Sequence, residues 1–257
     1  MEFTSYQLYD YFIVLIRKFF IYWILSNIIY IVYLLAMILI STSLLLHVIN
    51  YLFYKLKFKK QKEECLVGLS DTPRVSIVIP IRSEPLEVIK RNVKRILKQT
   101  YPLNRIELII VSDDSPDYAR KIKREISMMI KGRLKFVFIN RDFPKGYKAG
   151  ALNEALKKAA GKYLVVLDAD VIIPENYLSE LVSFMEAHPE YAGAVSDLGV
   201  INSQENELCE AQSIAWSFLK KAIFFGRKAA GFPVQLIGAC CITVSYTHLT
   251  LPTTERV

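Results

Sequence analysis

Tyr163-Leu164-Val165-Val166-Leu167-Asp168-Ala169-Asp170 decides how this chain is read: a short apolar run ends in two carboxylates separated by one residue. The run suits a buried strand. At a strand end the backbone no longer alternates strictly, so both carboxylates can reach one loop cavity. Hard oxygen ligands of this kind suit Mg²⁺ or Mn²⁺, which in turn bridges phosphate oxygens. A solvated turn would use the same residues, so the neighbouring segments must decide.

Upstream, Val75 to Ile79 is a β-branched run ended by Pro80, and Leu86, Ile89, Val93 and Ile96 follow at helical spacing behind Pro85. The unit repeats. Ile106 to Val111 and Leu134 to Ile139 read as strands, and Tyr118, Ile122, Ile126 and Met129 mark one face of a basic helix between them. Lys148 to Ala160 is expected to be helical with Gly161 as its C-terminal cap. Tyr177, Leu178, Leu181, Val182 and Met185 line a further helix, and Tyr191 to Asp197 reads as another strand. Strands alternating with helices of this length imply an α/β fold around a largely parallel sheet. Ligands of such sheets sit beyond the carboxyl ends of the strands, here the loops beginning at Pro80, Ser112, Asn140 and Asp168.

Charged residues gather in those loops. Ser112-Asp113-Asp114-Ser115 brings a second acidic pair to the rim that carries Asp168 and Asp170. Two unneutralised pairs would repel each other, so a cation or a base-and-ribose ligand is expected between them. Lys145-Gly146-Tyr147-Lys148-Ala149-Gly150-Ala151-Leu152-Asn153 lies beside them. Small residues at a helix start let amides approach an anion, and Lys148 adds positive charge.

In order and spacing, Val75 to Pro80, Val111 to Ser115, Lys148 to Asn153 and Leu167 to Asp170 together resemble the processive family 2 glycosyltransferases, relatives of cellulose synthase and hyaluronan synthase. The resemblance covers roughly Arg74 to Ile242 and implies a GT-A fold with a nucleotide-diphosphate sugar donor, a UDP-sugar being expected. By that resemblance Asp113 and Asp114 contact base and ribose, Lys148 and Asn153 lie beside the diphosphate, and Asp168 and Asp170 hold Mg²⁺ or Mn²⁺. The loop with Pro80, Arg82 and Glu84 joins the donor-binding set. It departs from the family pattern, because Arg82 and Ser83 stand where an aromatic residue and an asparagine are usual. The reaction implied is inverting transfer to a glycan or lipid-linked acceptor. Two alternatives remain open: a non-catalytic membrane scaffold that keeps the fold, and a sugar-phosphate nucleotidylyltransferase, whose glycine-rich opening loop Pro80 to Glu84 does not provide.

The amino-terminal quarter has a different chemistry. From Phe19 to Tyr54 no residue is charged, a run well beyond the ~20 apolar residues that span a bilayer as a helix. An interfacial or membrane segment is expected over 1–27 and a spanning helix over 28–54, with a hairpin turning near Ser26-Asn27 as the rival. Lys55, Lys57, Lys59, Lys60 and Lys62 follow in a basic linker over 55–73, which places the next domain on the cytoplasmic face of the cell membrane, against membrane lipids. Ser43, His47, Asn50 and Tyr54 share one helical face, for which partner helices are expected outside this chain or in a second copy. The net charge of +8 comes largely from the juxtamembrane lysines, and without zinc-knuckle spacing or a basic recognition helix it implies no nucleic-acid partner. Cys65, Cys209, Cys240 and Cys241 show no paired metal-ligand spacing and read as reduced thiols.

Downstream, Glu207 to Gly226 is amphipathic and includes Trp216, and Gly238-Ala239-Cys240 resembles the small-residue turn of the family's acceptor pocket. The glycosyltransferase domain is expected to be incomplete over 74–242. Over 243–257 the sequence looks like a translated sequencing adaptor, so His248 and Glu255 are not read as catalytic and the general base is expected beyond Ile242.

Overall fold

The computed structural model describes residues 5–58, 72–196, 198–234 and 238–245, so Lys59, Lys60, Lys62, Cys65, Asp197, His248 and Glu255 lie outside the described residues. Two compact units form, one from 62–213 and 235–257, the other from 1–61 and 214–234.

The first unit is built on a six-stranded sheet in the order β3-β2-β1-β4-β6-β5. Strands β1 (Val75–Ile81), β2 (Ile106–Ser112), β3 (Lys135–Asn140) and β4 (Tyr163–Val166) run parallel. β6 (Cys241–Val244) is antiparallel to β4 and pairs antiparallel with β5 (Gly193–Val195) at the edge. The β-branched run of β1 puts Ile77 and Ile79 on one face and Val78 on the other, and β2 splits Leu108 and Ile110 from Ile109 in the same way. One face packs under α2 (Leu86–Ile96), α3 (Pro116–Ile130) and α5 (Tyr177–Ala187), through Ile89, Val93, Ile122, Ile126 and Leu178. The other receives α4 (Tyr147–Leu156), whose Ala151 and Ala155 allow close approach to Val78, Ile109 and Val166. Each buried Ile or Val contributes about 1.5–3 kcal/mol relative to exposure, so both faces favour strands with no charge at their centre.

Two local assignments change here, the cap of α4 and the length of β5. Gly161 does not cap α4, which ends at Leu156; instead a Cβ on Gly161 would meet the Ser76 amide nitrogen at 2.6 Å, so glycine is needed for close packing. The segment around Cys241 is a strand that enters the sheet between β4 and β5, and it runs past Ile242: Ser245 Oγ donates to the Gly161 carbonyl at 2.6 Å. Of the strand read over Tyr191 to Asp197, the described part is Gly193–Val195, which pairs with Thr243, Ile242 and Cys241 of β6.

The second unit contains α1 (Ser5–Phe58), α7 (Gly226–Ala229) and, between α6 (Glu207–Phe218) and α7, a π-helical stretch over Leu219–Phe225. α1 is long and apolar enough over Phe12–Leu56 to cross a membrane. It continues through Ser26 and Asn27 without a hairpin, because Asn27 Nδ2 donates to the Trp23 carbonyl at 2.7 Å and so satisfies its polar group within the helix. The polar face of α1 finds its partner within this chain. The His47 and Phe218 rings lie 6.1 Å apart, Tyr54 stacks on Phe225 at 5.6 Å, and a Cβ on Gly226 would meet the Asn50 carbonyl oxygen at 2.6 Å. Ser43 remains exposed, so the covered face begins near His47.

One buried charge organises the amino ends of the strands. Glu107 is fully buried, and its Oε2 accepts from Ser76 Oγ at 2.6 Å and from the Ala160 amide at 2.9 Å, while Lys135 Nζ lies 2.5 Å from Oε1. Burial alone would raise this carboxyl, but Lys135, Ser76 and the Ala160 amide together hold it below its ordinary value of 4.5. Glu107→Gln is expected to cost about 1.5–3 kcal/mol, the scale of hydrogen bonds to a charged group, read as a lower denaturant midpoint of the detergent-solubilised chain at neutral pH. A depressed folded value stabilises fully above the unfolded one and is lost as pH falls through the folded one, so wild type and variant should converge in acid.

Candidate active site

The carboxyl ends of β1, β2 and β4 and the loop between β3 and α4 supply the site. After β1, Ser83 adopts φ 67, a left-handed conformation unusual for serine, and its amide donates to Asp114 Oδ1 at 2.6 Å. Glu84 folds back to accept from the Arg82 amide, and the Glu84 carbonyl accepts from the Tyr118 hydroxyl at 2.9 Å. Burial, reinforced by the carboxylates of Asp114 and Asp170, raises the Glu84 carboxyl against the amides of Arg82 and Glu84. Glu84, Asp114 and Asp170 therefore share one acidic rim. The Arg82 side chain and Asp170 are exposed, and Pro80 is half-buried.

At the end of β2, Asp114 Oδ2 accepts from Ser112 Oγ at 2.9 Å. Asp113 is held differently: Arg141 Nε and Nη2 reach its two carboxylate oxygens at 2.6 and 2.5 Å, with both side chains 7% exposed. At the start of α4, Lys148 Nζ donates to Asp168 Oδ1 at 2.5 Å and to the Gly238 carbonyl at 2.9 Å. Asp168 sits on a turn pinned from α2, where the buried Asn92 Nδ2 donates to the carbonyls of Asp168 and Ala169 at 3.0 and 3.3 Å. Asn153 lies exposed on α4, outside this hydrogen-bonded group.

These contacts correct in part the expectation that the two acidic pairs stand unneutralised. Arg141 answers Asp113 and Lys148 answers Asp168, so one carboxylate of each pair is neutralised within the chain while Asp114 and Asp170 face Glu84 on the acidic rim. Two residues of the site were not anticipated. Asn92 occupies the apolar stripe of α2 between Ile89 and Val93, and a polar residue in that position was its signal. Arg141 gave none, since its partner Asp113 follows a different strand, β2. The glycine of α4 also has a more specific task than opening amides to an anion: a Cβ on Gly150 would fall 2.0 Å from the Lys145 carbonyl oxygen and 2.7 Å from Arg141 Nη1. Cys240, at φ 54 beside the site, has its thiol pushed up to about 11 by burial and then by Asp168, so it stays protonated at neutral pH.

Among the described residues, no group of three His, Cys, Asp or Glu side chains converges to hold a metal alone. Asp168 and Asp170 nevertheless fit a hard cation that takes its other ligands from water and phosphate, the usual manner of Mg²⁺. The Lys148–Asp168 pair is compatible with this, because its side chains are 43% and 37% exposed and an exposed ion pair is held by only about 0–1 kcal/mol.

The profile of glycosyl transferase family 2 matches residues 76–241. The chain belongs to that family. It is 27% identical over 188 residues to a probable glycosyltransferase of Sulfolobus acidocaldarius, covering 73% of this chain and 40% of that protein. It is 31% identical over 171 residues to glucomannan 4-beta-mannosyltransferase 7 of Arabidopsis thaliana, covering 65% and 30%. The chain thus spans well under half the length of these relatives. Among solved structures, the mannosyltransferase PcManGT of Pyrobaculum calidifontis in complex with GDP-Man and Mn²⁺ superposes with a TM-score of 0.50 at 26% identity, covering 62% of this chain and 46% of that one. The sheet is accordingly that of a GT-A glycosyltransferase.

Gly150→Ala is expected to destabilise the chain by about 1–3 kcal/mol, the usual cost of overpacking. A lower unfolding temperature would register it, whereas Ala149→Gly should not reproduce the clash.

Proposed function

We propose that the chain is the donor-binding part of a membrane-anchored, inverting, metal-dependent hexosyltransferase that uses a nucleotide-diphosphate sugar. The observation that carries this reading is the meeting of Lys148 with Asp168 at the carboxyl end of the sheet, beside Asp113 and Asp114. Asp113 and Asp114 serve the base and ribose end, with Pro80, Arg82 and Glu84 on the adjoining loop. Lys148, with Asn153 farther along α4, serves the diphosphate. Asp168 and Asp170 would hold Mg²⁺ or Mn²⁺, which when bound supplies positive charge to the leaving diphosphate. Lys148 is exposed enough to exchange Asp168 for a phosphate oxygen, and its charge then stabilises the same leaving group.

The acceptor is a glycan or a lipid-linked sugar, and the product is a polysaccharide or glycolipid. Support comes from the mannosyltransferase relatives and from the apolar length of α1. The lysines from Lys55 to Lys62 favour a cytoplasmic domain. Mannose is the sugar named for both PcManGT and the glucomannan enzyme, so GDP-mannose stands beside UDP-sugars as a donor.

Isothermal titration of the detergent-solubilised chain with GDP-mannose, UDP-glucose and UDP-N-acetylglucosamine, each with Mn²⁺, tests the reading. One nucleotide sugar is expected to bind, and chelation should weaken it. Asp168→Asn and Asp170→Asn should each lower affinity by at least about tenfold, since losing even a supporting group of a metal site has that effect. A folded chain that binds none of them would refute the proposal.

A further inference from the structure

Arg141 follows β3 and joins parts of the site that are far apart in sequence. Its backbone amide donates to the Ser112 carbonyl at 2.9 Å, which fixes it to the end of β2. Its guanidinium makes the in-plane fork to both oxygens of Asp113, while Nη1 donates to the Lys145 carbonyl at 3.0 Å and Nη2 to the Tyr147 carbonyl at 3.0 Å. Four of its five N–H groups are thereby used, and the side chain is 7% exposed. A buried and nearly saturated group of this kind has little left with which to touch a substrate.

Its partners suggest what it does. Asp113 stands at the base end of the proposed donor site. Lys145 and Tyr147 lead directly into Lys148, at the diphosphate end. The intervening loop holds Gly146 at φ 78 and Tyr147 at φ 49, a left-handed conformation that an aromatic residue seldom adopts unless its surroundings enforce it. Arg141 grips the carbonyls of Lys145 and Tyr147, on either side of Gly146. Gly150 completes the arrangement, because any side chain there would strike the Lys145 carbonyl and Arg141 Nη1.

We infer that Arg141 is a positioning residue of the donor site, setting the spacing between Asp113 and Lys148 by clamping the Asp113 carboxylate and the Lys145–Tyr147 loop in one frame. The inference rests on the donor reading above. Lysine cannot substitute, since an ammonium is a point charge without the planar fork. A ligand that engages both ends needs the correct spacing; one that engages a single end does not.

The test uses the full chain in detergent with Mn²⁺, titrated with the nucleoside diphosphate of the donor that wild type prefers and, separately, with inorganic pyrophosphate. Arg141→Lys and Arg141→Met are expected to weaken the nucleoside diphosphate by about 10-fold to 100-fold, the range for losing an orienting partner, and pyrophosphate by less than about threefold. Asp113→Asn combined with Arg141→Met should lose less than the product of the two single losses, because the variants share the broken Arg141–Asp113 pair. Hydrogen exchange of wild type and Arg141→Lys supplies a measure independent of ligand: amides from Gly146 to Ala149 should exchange faster while those of β1 and β2 do not. If Arg141→Met does not fold, Arg141→Lys, which keeps the charge, is read alone. Equal losses for both probes, or wild-type affinity in Arg141→Lys, would overturn the inference while leaving the donor reading intact. A folded wild type that binds no nucleotide would sink both.

Discussion

The constraint on which this structure depends is that its central strands are buried on both faces. β1, β2 and β4 lie between helices, so no charged side chain can stand at the middle of the sheet without several kcal/mol of desolvation. Charge is therefore confined to the strand ends. At the amino ends the charge that is fully buried among the described residues is Glu107, satisfied by Ser76, the Ala160 amide and Lys135. At the carboxyl ends it is concentrated in Glu84, Asp113, Asp114, Asp168 and Asp170, where the loops are open enough to admit a ligand. A stable fold and a reactive edge follow from the same restriction.

The two cations at that edge differ in kind because they differ in exposure. Arg141 and Asp113 are both withdrawn from water, so breaking their pair would strand a buried charge. Lys148 and Asp168 are partly solvated, where screening leaves little net attraction, and either can change partner cheaply. The first contact behaves as framework and the second as an exchangeable one. The Gly238 carbonyl, which also receives Lys148, brings the segment preceding β6 into the same exchange.

Much of this was legible in the chain because it depends on local pattern. β-Branched runs gave β1, β2 and β4, and the 3.6-residue spacing of Ile89, Val93 and Ile96 gave α2. The acidic pairs and Lys148 could be placed at strand ends once those strands were recognised. What could not be read depends on neighbours distant in sequence. Arg141 acquires meaning only when β2 and β3 lie side by side. Gly161 reads as a helix cap until Ser76 occupies the space where its side chain would be. Cys241 to Val244 is too short and too mixed to announce a strand, and it becomes one because β4 and β5 offer free edges. The polar face of α1 was visible, but its cover comes from residues about 170 positions onward, beyond the reach of any periodicity.

That cover carries a consequence of its own. The stretch Leu219–Phe225 is wound as a π-helix, which accommodates more residues per turn than an α-helix, and it delivers Gly226 against the Asn50 carbonyl. Deleting one residue there would let the segment wind as an ordinary α-helix, because the wider π turn is what absorbs the extra residue, and everything after it would keep nearly its present phase about the axis. Gly226 would then still face α1 and the Asn50 carbonyl. The π stretch is therefore the place where this helical segment can lose one residue and still hold Gly226 against Asn50, so over evolutionary time a single-residue deletion should be borne better there than in α6, where no wide turn absorbs it.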